Sequence, residues 1–414
     1  MTAAADPDVV VVGAGAAGLA AAHALRQQGF AVTVLEARRR LGGRAWTAQL
    51  EGYPADLGCG WLHSAEDNPW VEVAARLGMA VDRRPPDWGK GFIRQRQLEP
   101  PEARARERAM RRFWRMTETP PAGPDRPLGD LLPADDPWLP GFTAVTSFVS
   151  GAEPASLSQL DLARYQDSGV NWRVVEGYGR LIECFGSGLP VVLGTPVQAV
   201  DWSGPGVVVA TSAGRLHCRA SVLTVPVPLL LDGAIRFMPA LPTAKLEAAA
   251  GLAMGRVTKL WLAVDGHPFD LDADRQVLGT PCQVRTAIYH LRPFGRPQVE
   301  AYWGGAVAAD LERAGMAAMA DFALAELVRL FGSALRRSIR PLLASSWAGD
   351  PFARGAYSYA RPGGADGRAA LAEPVADRLF FAGEACSIHA FSTAHGAYAT
   401  GIAAARAVAR TLRA

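Results

Sequence analysis

The chain has 414 residues, 49% of them hydrophobic, too many for one simple core; at roughly 100–200 residues per domain, two or three domains are expected. Its formal net charge of +3 is spread thinly, and no charge-free apolar run of about 18 residues occurs, which argues against a nucleic-acid partner and against a membrane-spanning protein. Cys59, Cys184, Cys218, Cys282 and Cys386 form no CxxC pair and predict neither a zinc site nor a disulfide framework, and the acidic opening "MTAAADPD" lacks a secretory pattern, so a soluble, cytoplasmic protein in a reducing compartment is expected.

The first elements read as strand, glycine turn, helix and strand. Val9–Val12 is a β-branched run of the buried parallel type, an alanine-rich helix is expected over Ala20–Gln28, and Gly29 closes it. Gly13, Gly15 and Gly18 make a G-x-G-x-x-G turn: the first for the bend, the second for close approach of backbone to a pyrophosphate, the third for helix–strand packing. Glu36 ends the next strand, where an acid binds ribose hydroxyls and favours NAD or FAD over NADP; the alternative is a glycine turn without a ligand. "EARRRLGGRAWT" (36–47) then adds a second glycine pair and Arg44, and "DLGCGWLH" (56–63) a third glycine turn with Trp61 and His63.

From about 65 to 188 helical segments alternate with proline-rich connections. The basic stretch 104–116 is predicted to be the solvated face of a helix, with Glu107 paired to Arg111 and with Met110, Phe113 and Trp114 at helical spacing. Strand-like runs fill 189–231, and "VTKLWLAV" (257–264), "QVEAYWGGA" (298–306) and the amphipathic 318–332 continue the alternation. Lys259 shares one strand face with Val257, Trp261 and Ala263. Only Lys90, Lys245 and Lys259 are lysines in an arginine-rich chain, so this one has a reason beyond snorkelling. Near the end, "ASSWAGDPFARGAYSYARPG" (344–363) carries Trp347 and Tyr357. The segment 377–410 passes from an apolar strand through Gly383 and Glu384 to a helix starting near Thr393. His389 and His395 could be imagined as metal ligands but lack a third, so no metal is expected and the two rings are read as packing or solvent-facing.

These stretches resemble the flavin-containing amine oxidases, the family of monoamine oxidases, polyamine oxidases and lysine-specific histone demethylases. The resemblance implies an α/β fold: a Rossmann-like FAD-binding domain of GR2 type, from residues 1–62, 190–235 and 342–414, interleaved with an α+β substrate-binding domain, from 63–189 and 236–341. It assigns cofactor contacts to Gly13, Gly15, Ala16, Ala17, Gly18, Glu36, Ala37, Arg38, Gly43, Arg44, Gly60, Trp61, Val197, Trp347, Gly383, Glu384, Thr393 and Ala394, and substrate contacts to Trp61, His63, Trp347, Tyr357 and Thr393. Lys259 becomes the catalytic residue, holding a water that bridges to flavin N5, with a pKa lowered by desolvation.

The implied reaction takes a small-molecule amine and O2 to an imine, then aldehyde, with H2O2 released. Thr393 stands where monoamine oxidases and several polyamine oxidases place a cage tyrosine; no cysteine sits in the context for covalent flavin attachment, so FAD is expected to be noncovalent. No tower-like insertion suggests a chromatin role. The competing readings are an amino-acid oxidase, a C–C desaturase or dehydrogenase, and a flavin-binding protein without turnover.

Overall fold

A computed structural model describes residues 6–86, 88, 98–269 and 271–414; Lys90 and the first five residues of the N-terminal stretch lie outside them. In chain order, the elements that position the site begin with β1 (Val9–Val12), α1 (Ala16–Gln27), β2 (Val32–Leu35), β3 (Thr47–Leu50) and β4 (Tyr53–Asp56). Helices α2 (Pro100–Glu118) and α3 (Leu139–Ser150) follow, then strands β5 (Val191–Val192) and β6 (Ala220–Leu223). Next come β7 (Val257–Val264), β8 (Arg275–Leu278), β9 (Ile288–Leu291), β10 (Gln298–Gly304) and β11 (Ile339–Ala344). Strand β12 (Leu379–Phe381) and helix α4 (Ala394–Arg413) end the chain.

The first sheet runs β12-β6-β1-β2-β5, all neighbours parallel, with Val9 in register with both Ala220 and Val32. All four residues of β1 are buried, which is why it reads as unbroken valine rather than as an alternation. α1 starts at Ala16, one turn before the expected Ala20. Gly18 therefore lies inside the helix, where an added Cβ would come within 1.9 Å of the Gly13 carbonyl oxygen. Its missing side chain lets α1 lie on the turn, against the local propensity that placed the start later. α4 packs on α1 in the same way: a Cβ at Gly401 would lie 2.1 Å from the Ala17 carbonyl oxygen.

The second sheet, β8-β9-β10-β7-β11, is antiparallel throughout. Leu260, Leu262, Tyr289, Val299 and Trp303 fill its core, covered by the helix Met316–Phe331. The basic stretch is helical, with Met110 and Phe113 buried and Glu107 paired to Arg111 at 3.0 Å. No helix among the described residues is long and apolar enough to cross a membrane.

Candidate active site

A cavity of about 1700 Å³ lies against both sheets. The candidate cofactor, substrate and catalytic residues read from the sequence all line it except Gly18, whose place is the helix–turn packing just described. At one end, α1 follows its N-cap Gly15 with no side-chain cap and no acid in its first turn, so its free N–H groups and positive end face the cavity. Glu36, 3% exposed, accepts from the Ala14 N–H at 2.8 Å and the Arg38 N–H at 2.9 Å, which locks the acid against the glycine turn. The second glycine pair closes over the first: Gly15 and Gly42 form a parallel bridge, and a Cβ at Gly43 would sit 3.2 Å from Gly15 Cα. Uncapped helix N–H groups, a bare backbone floor and a fixed acid one strand away form a cradle that fits a dinucleotide diphosphate and ribose.

Along the floor, Glu384 is buried and holds four segments together. It pairs with Arg44 at 2.8 Å and accepts from the Ser358 N–H and hydroxyl and from the Ser392 N–H. Burial alone raises its pKa, but Arg44, Ser358 and Arg368 hold it below the usual range. Arg368 is fully buried, forked onto Asp161 at 2.6 and 2.8 Å, and also donates to the Ser358 hydroxyl. Thr393 caps α4, its hydroxyl accepting from the Gly396 N–H at 3.0 Å and donating to the Ala390 carbonyl.

Lys259, 7% exposed, sits opposite Tyr302 in the β7–β10 register, with Glu300 as its diagonal neighbour on the same face. Its ammonium pairs with Glu300 at 2.8 Å and donates to the Asp56 carbonyl at 3.1 Å, close under Gly60. Desolvation pulls its pKa down, but Glu300 and Asp56 outweigh it and the net shift is upward, opposite to the direction expected from desolvation alone. The amine is therefore an ammonium donor at neutral pH.

The family model described as "Flavin containing amine oxidoreductase" matches residues 16–133 and 125–409. The chain belongs to this family. Polyamine oxidase 2 of Arabidopsis thaliana is 30% identical over 97% of this chain and 87% of its own length. A lysine-specific histone demethylase 1 homolog of rice is 28% identical over 98% of this chain and 53% of its own. Among solved structures, cyclohexylamine oxidase from Brevibacterium oxydans superposes with a TM-score of 0.80 at 23% identity, covering 99% of this chain and 100% of that one. Putrescine oxidase bound to putrescine gives 0.78 at 21%, over 98% and 99%. This is thus an FAD-dependent amine oxidase with the two-domain α/β fold of the family.

In this flavin amine oxidase Cys59 also lines the cavity, and burial with Asp56 nearby pushes its thiol up to about 12. It stays protonated and a poor nucleophile, in keeping with noncovalent FAD. Trp347 is 5% exposed and donates its indole N–H to the Leu57 carbonyl at 2.9 Å. Tyr357 and Tyr302 share a 3.0 Å hydroxyl contact, and both donate to the Phe148 carbonyl on α3. The Arg173 guanidinium, 5.0 Å over the Trp61 ring, and the stacked His290 cover the same side of that ring and touch each other at 3.3 Å. His63 Nδ1 lies 2.6 Å from Asn171 Oδ1, and the Asn171 amide nitrogen is spent on the Gly169 carbonyl. That fixes Oδ1 as acceptor, Nδ1–H as donor and Nε2 as the ring's free acceptor. Burial lowers the His63 pKa, and burial with His63 nearby pulls His395 to about 4. His395 lines the cavity instead of merely packing the helix. Among the described residues no group of three metal-ligating side chains occurs.

Glu300, Tyr302, Asp56, Arg368 and Asp161 escaped the sequence reading. Glu300 and Tyr302 do alternate along "QVEAYWGGA", a signal that they share a face; what that face meets depends on the register of β7.

Proposed function

We propose that this amine oxidase oxidises a C–N bond of a primary or secondary amine, of the monoamine or polyamine type, to an imine that water hydrolyses to an aldehyde. For a primary amine the balance is R–CH2–NH2 + O2 + H2O to R–CHO + NH3 + H2O2. The observation that carries this reading is the Lys259 ammonium, fixed by Glu300 and the Asp56 carbonyl beneath the Gly60–Trp61 turn. Bound FAD supplies two-electron acceptance and its return to O2. Gly13, Gly15, Ala16 and Ala17 would hold its diphosphate, Glu36 with Ala37 and Arg38 the adenosine ribose, and Val197 the adenine side. Gly43, Arg44, Gly383 and Glu384 would take the ribityl chain, and Gly60, Trp61, Trp347, Thr393 and Ala394 the ring. The two sheets favour FAD and substrate domains close to the division read from the sequence, with the second boundary moved past β11 (Ile339–Ala344), which pairs with β7 in the second sheet.

His63, neutral with a free Nε2, accepts the proton of the incoming ammonium so that nitrogen is uncharged when its C–H is presented. Tyr357, Trp61 and Trp347 shape the approach, and Lys259 orients a water by donation, leaving the proton on its own nitrogen. Trp61, Tyr302 and Thr393 line the same cavity, and Thr393 brings no aromatic ring to it. The test is the visible spectrum under anaerobic titration with mono-, di- and polyamines. Bleaching by an amine, with peroxide formed when air is admitted, supports the reading; a yellow protein that no amine bleaches overturns it.

A further inference from the structure

Among the described residues five arginines and one lysine line the cavity, and five of the six have an acidic partner. Arg38 pairs with Asp350, Arg44 with Glu384, Arg111 with Glu107, Lys259 with Glu300 and Arg354 with Asp232. Arg106 on α2 has none among the described residues. It is 9% exposed, its Nε is buried without a hydrogen-bond partner, and the only titratable neighbour acting against its burial is the Cys282 thiol. Among the described residues the other arginines buried this deeply have a counter-charge: Arg173 grips Asp82 and Asp274, and Arg368 grips Asp161. A guanidinium keeps its charge, so a buried one facing a ligand cavity without a carboxylate is unpaired until something anionic arrives. Thr146 Oγ1, on the cavity wall formed by α3, is likewise buried and unpartnered.

The place of Arg106 defines the geometry. α2 packs on α3 through Phe113 and Trp114 against Phe142, while on α3 the Phe148 carbonyl receives the Tyr302 and Tyr357 hydroxyls beside Lys259. α3 thus touches both α2 and the tyrosine pair beside Lys259, and the unpaired cation and the lysine line the same cavity. Met110, Trp114 and Val145 line the cavity and offer an apolar wall for a spacer.

We propose that Arg106 is a specificity site for a carboxylate carried by the substrate at the end remote from the oxidised C–N bond, so that the favoured substrates are ω-amino acids and related amino-carboxylates. One planar guanidinium matches one carboxylate by a two-point fork; a phosphate dianion would call for a second cation, and a polyamine would bring an ammonium to it. The inference rests on the amine-oxidase reading of the cavity and narrows it.

The experiment compares straight-chain ω-amino acids, including 6-aminohexanoate, with alkylamines and diamines of the same length on the holoenzyme. A KM at least about tenfold lower for the amino acid is expected at its best length, in line with a charge-assisted hydrogen bond. Arg106→Gln erases that difference, and Arg106→Lys keeps part of it. Hexanoate perturbs the flavin spectrum of the parent at concentrations where hexanamide does not, a binding readout independent of turnover and of how the variants fold. Equal KM values for amino acid and alkylamine at every length overturn the proposal. So does a preference for α-amino acids, or an Arg106→Gln effect equal on both series. If no amine bleaches the flavin, the oxidase reading fails, and hexanoate binding alone then decides the role of Arg106.

Discussion

A buried amine and a partly buried imidazole on the cavity wall answer to different perturbations. Lys259→Met removes the fixed ammonium donor and leaves Glu300 half-buried without its cation. We expect turnover to fall at least about tenfold, and stability to fall by about 3 kcal/mol, the cost of breaking a buried pair. The double variant Lys259→Met/Glu300→Gln separates the two effects: it regains stability in urea unfolding while stopped-flow reduction and reoxidation stay slow. A double variant as fast as the parent would make the pair structural only. His395 responds to pH. Its folded pKa of about 4 lies below the ordinary 6.5 because burial, then His63, disfavour the charged ring. The unfolded chain therefore binds the extra proton first, and stability falls as pH drops from about 6.5 to about 4. His395→Gln flattens that fall in urea midpoints measured at pH 7 and pH 5.

The elements that place these groups depend on close backbone contacts. α4 lies on α1 because Gly401 presents no Cβ to the Ala17 carbonyl, and the N-terminus of α4 carries Thr393 and Ala394 into the cavity. Gly401→Val forces the helices apart and moves that N-terminus, so flavin fluorescence is released at a lower temperature than in the parent. Thr393→Ala leaves the Gly401–Ala17 contact in place while removing the cap and the hydroxyl's bond to the Ala390 carbonyl, at a cost of about 1 kcal/mol. If the two variants release flavin at the same temperature, the helix contact does not position the site. The same contrast shows what the sequence can carry. β1, its glycine turn and β7 were legible because a valine run, three spaced glycines and an eight-residue apolar strand are local patterns. The start of α1 was misplaced by a turn because Gly18 looks like a helix breaker until Gly13 is seen beneath it. Lys259 was legible by its rarity, but the direction of its pKa was not, since Glu300 reaches it only through cross-strand register.

On the scale of the whole molecule, the cavity lies between segments that the chain brings together from far apart. Arg44 and Glu384 are 340 positions apart, and Asp161 and Arg368 207 positions; no local pattern announces such partners, which is why the glycine turns were readable and the floor that closes them was not. These pairs converge on Ser358, so the floor is one network joining segments around Arg44, Asp161, Ser358, Arg368 and Glu384. A ligand that fills the cavity and binds only the folded chain stabilises it by mass action, by about 2.7 kcal/mol at a hundredfold excess over Kd. Removing FAD is thus expected to lower the thermal midpoint by several degrees, and acid precipitation to release it intact into the supernatant, as a noncovalent cofactor requires. Glu384→Gln keeps the shape but gives the Arg44 guanidinium a neutral partner and turns an amide N–H toward one of four donors. The midpoint gap between holo and apo protein should therefore narrow in Glu384→Gln, because the apo network is already loosened and the cofactor binds a less ordered floor. A variant whose gap and FAD Kd equal those of the parent would mean that the network ties the segments together without shaping the cofactor site.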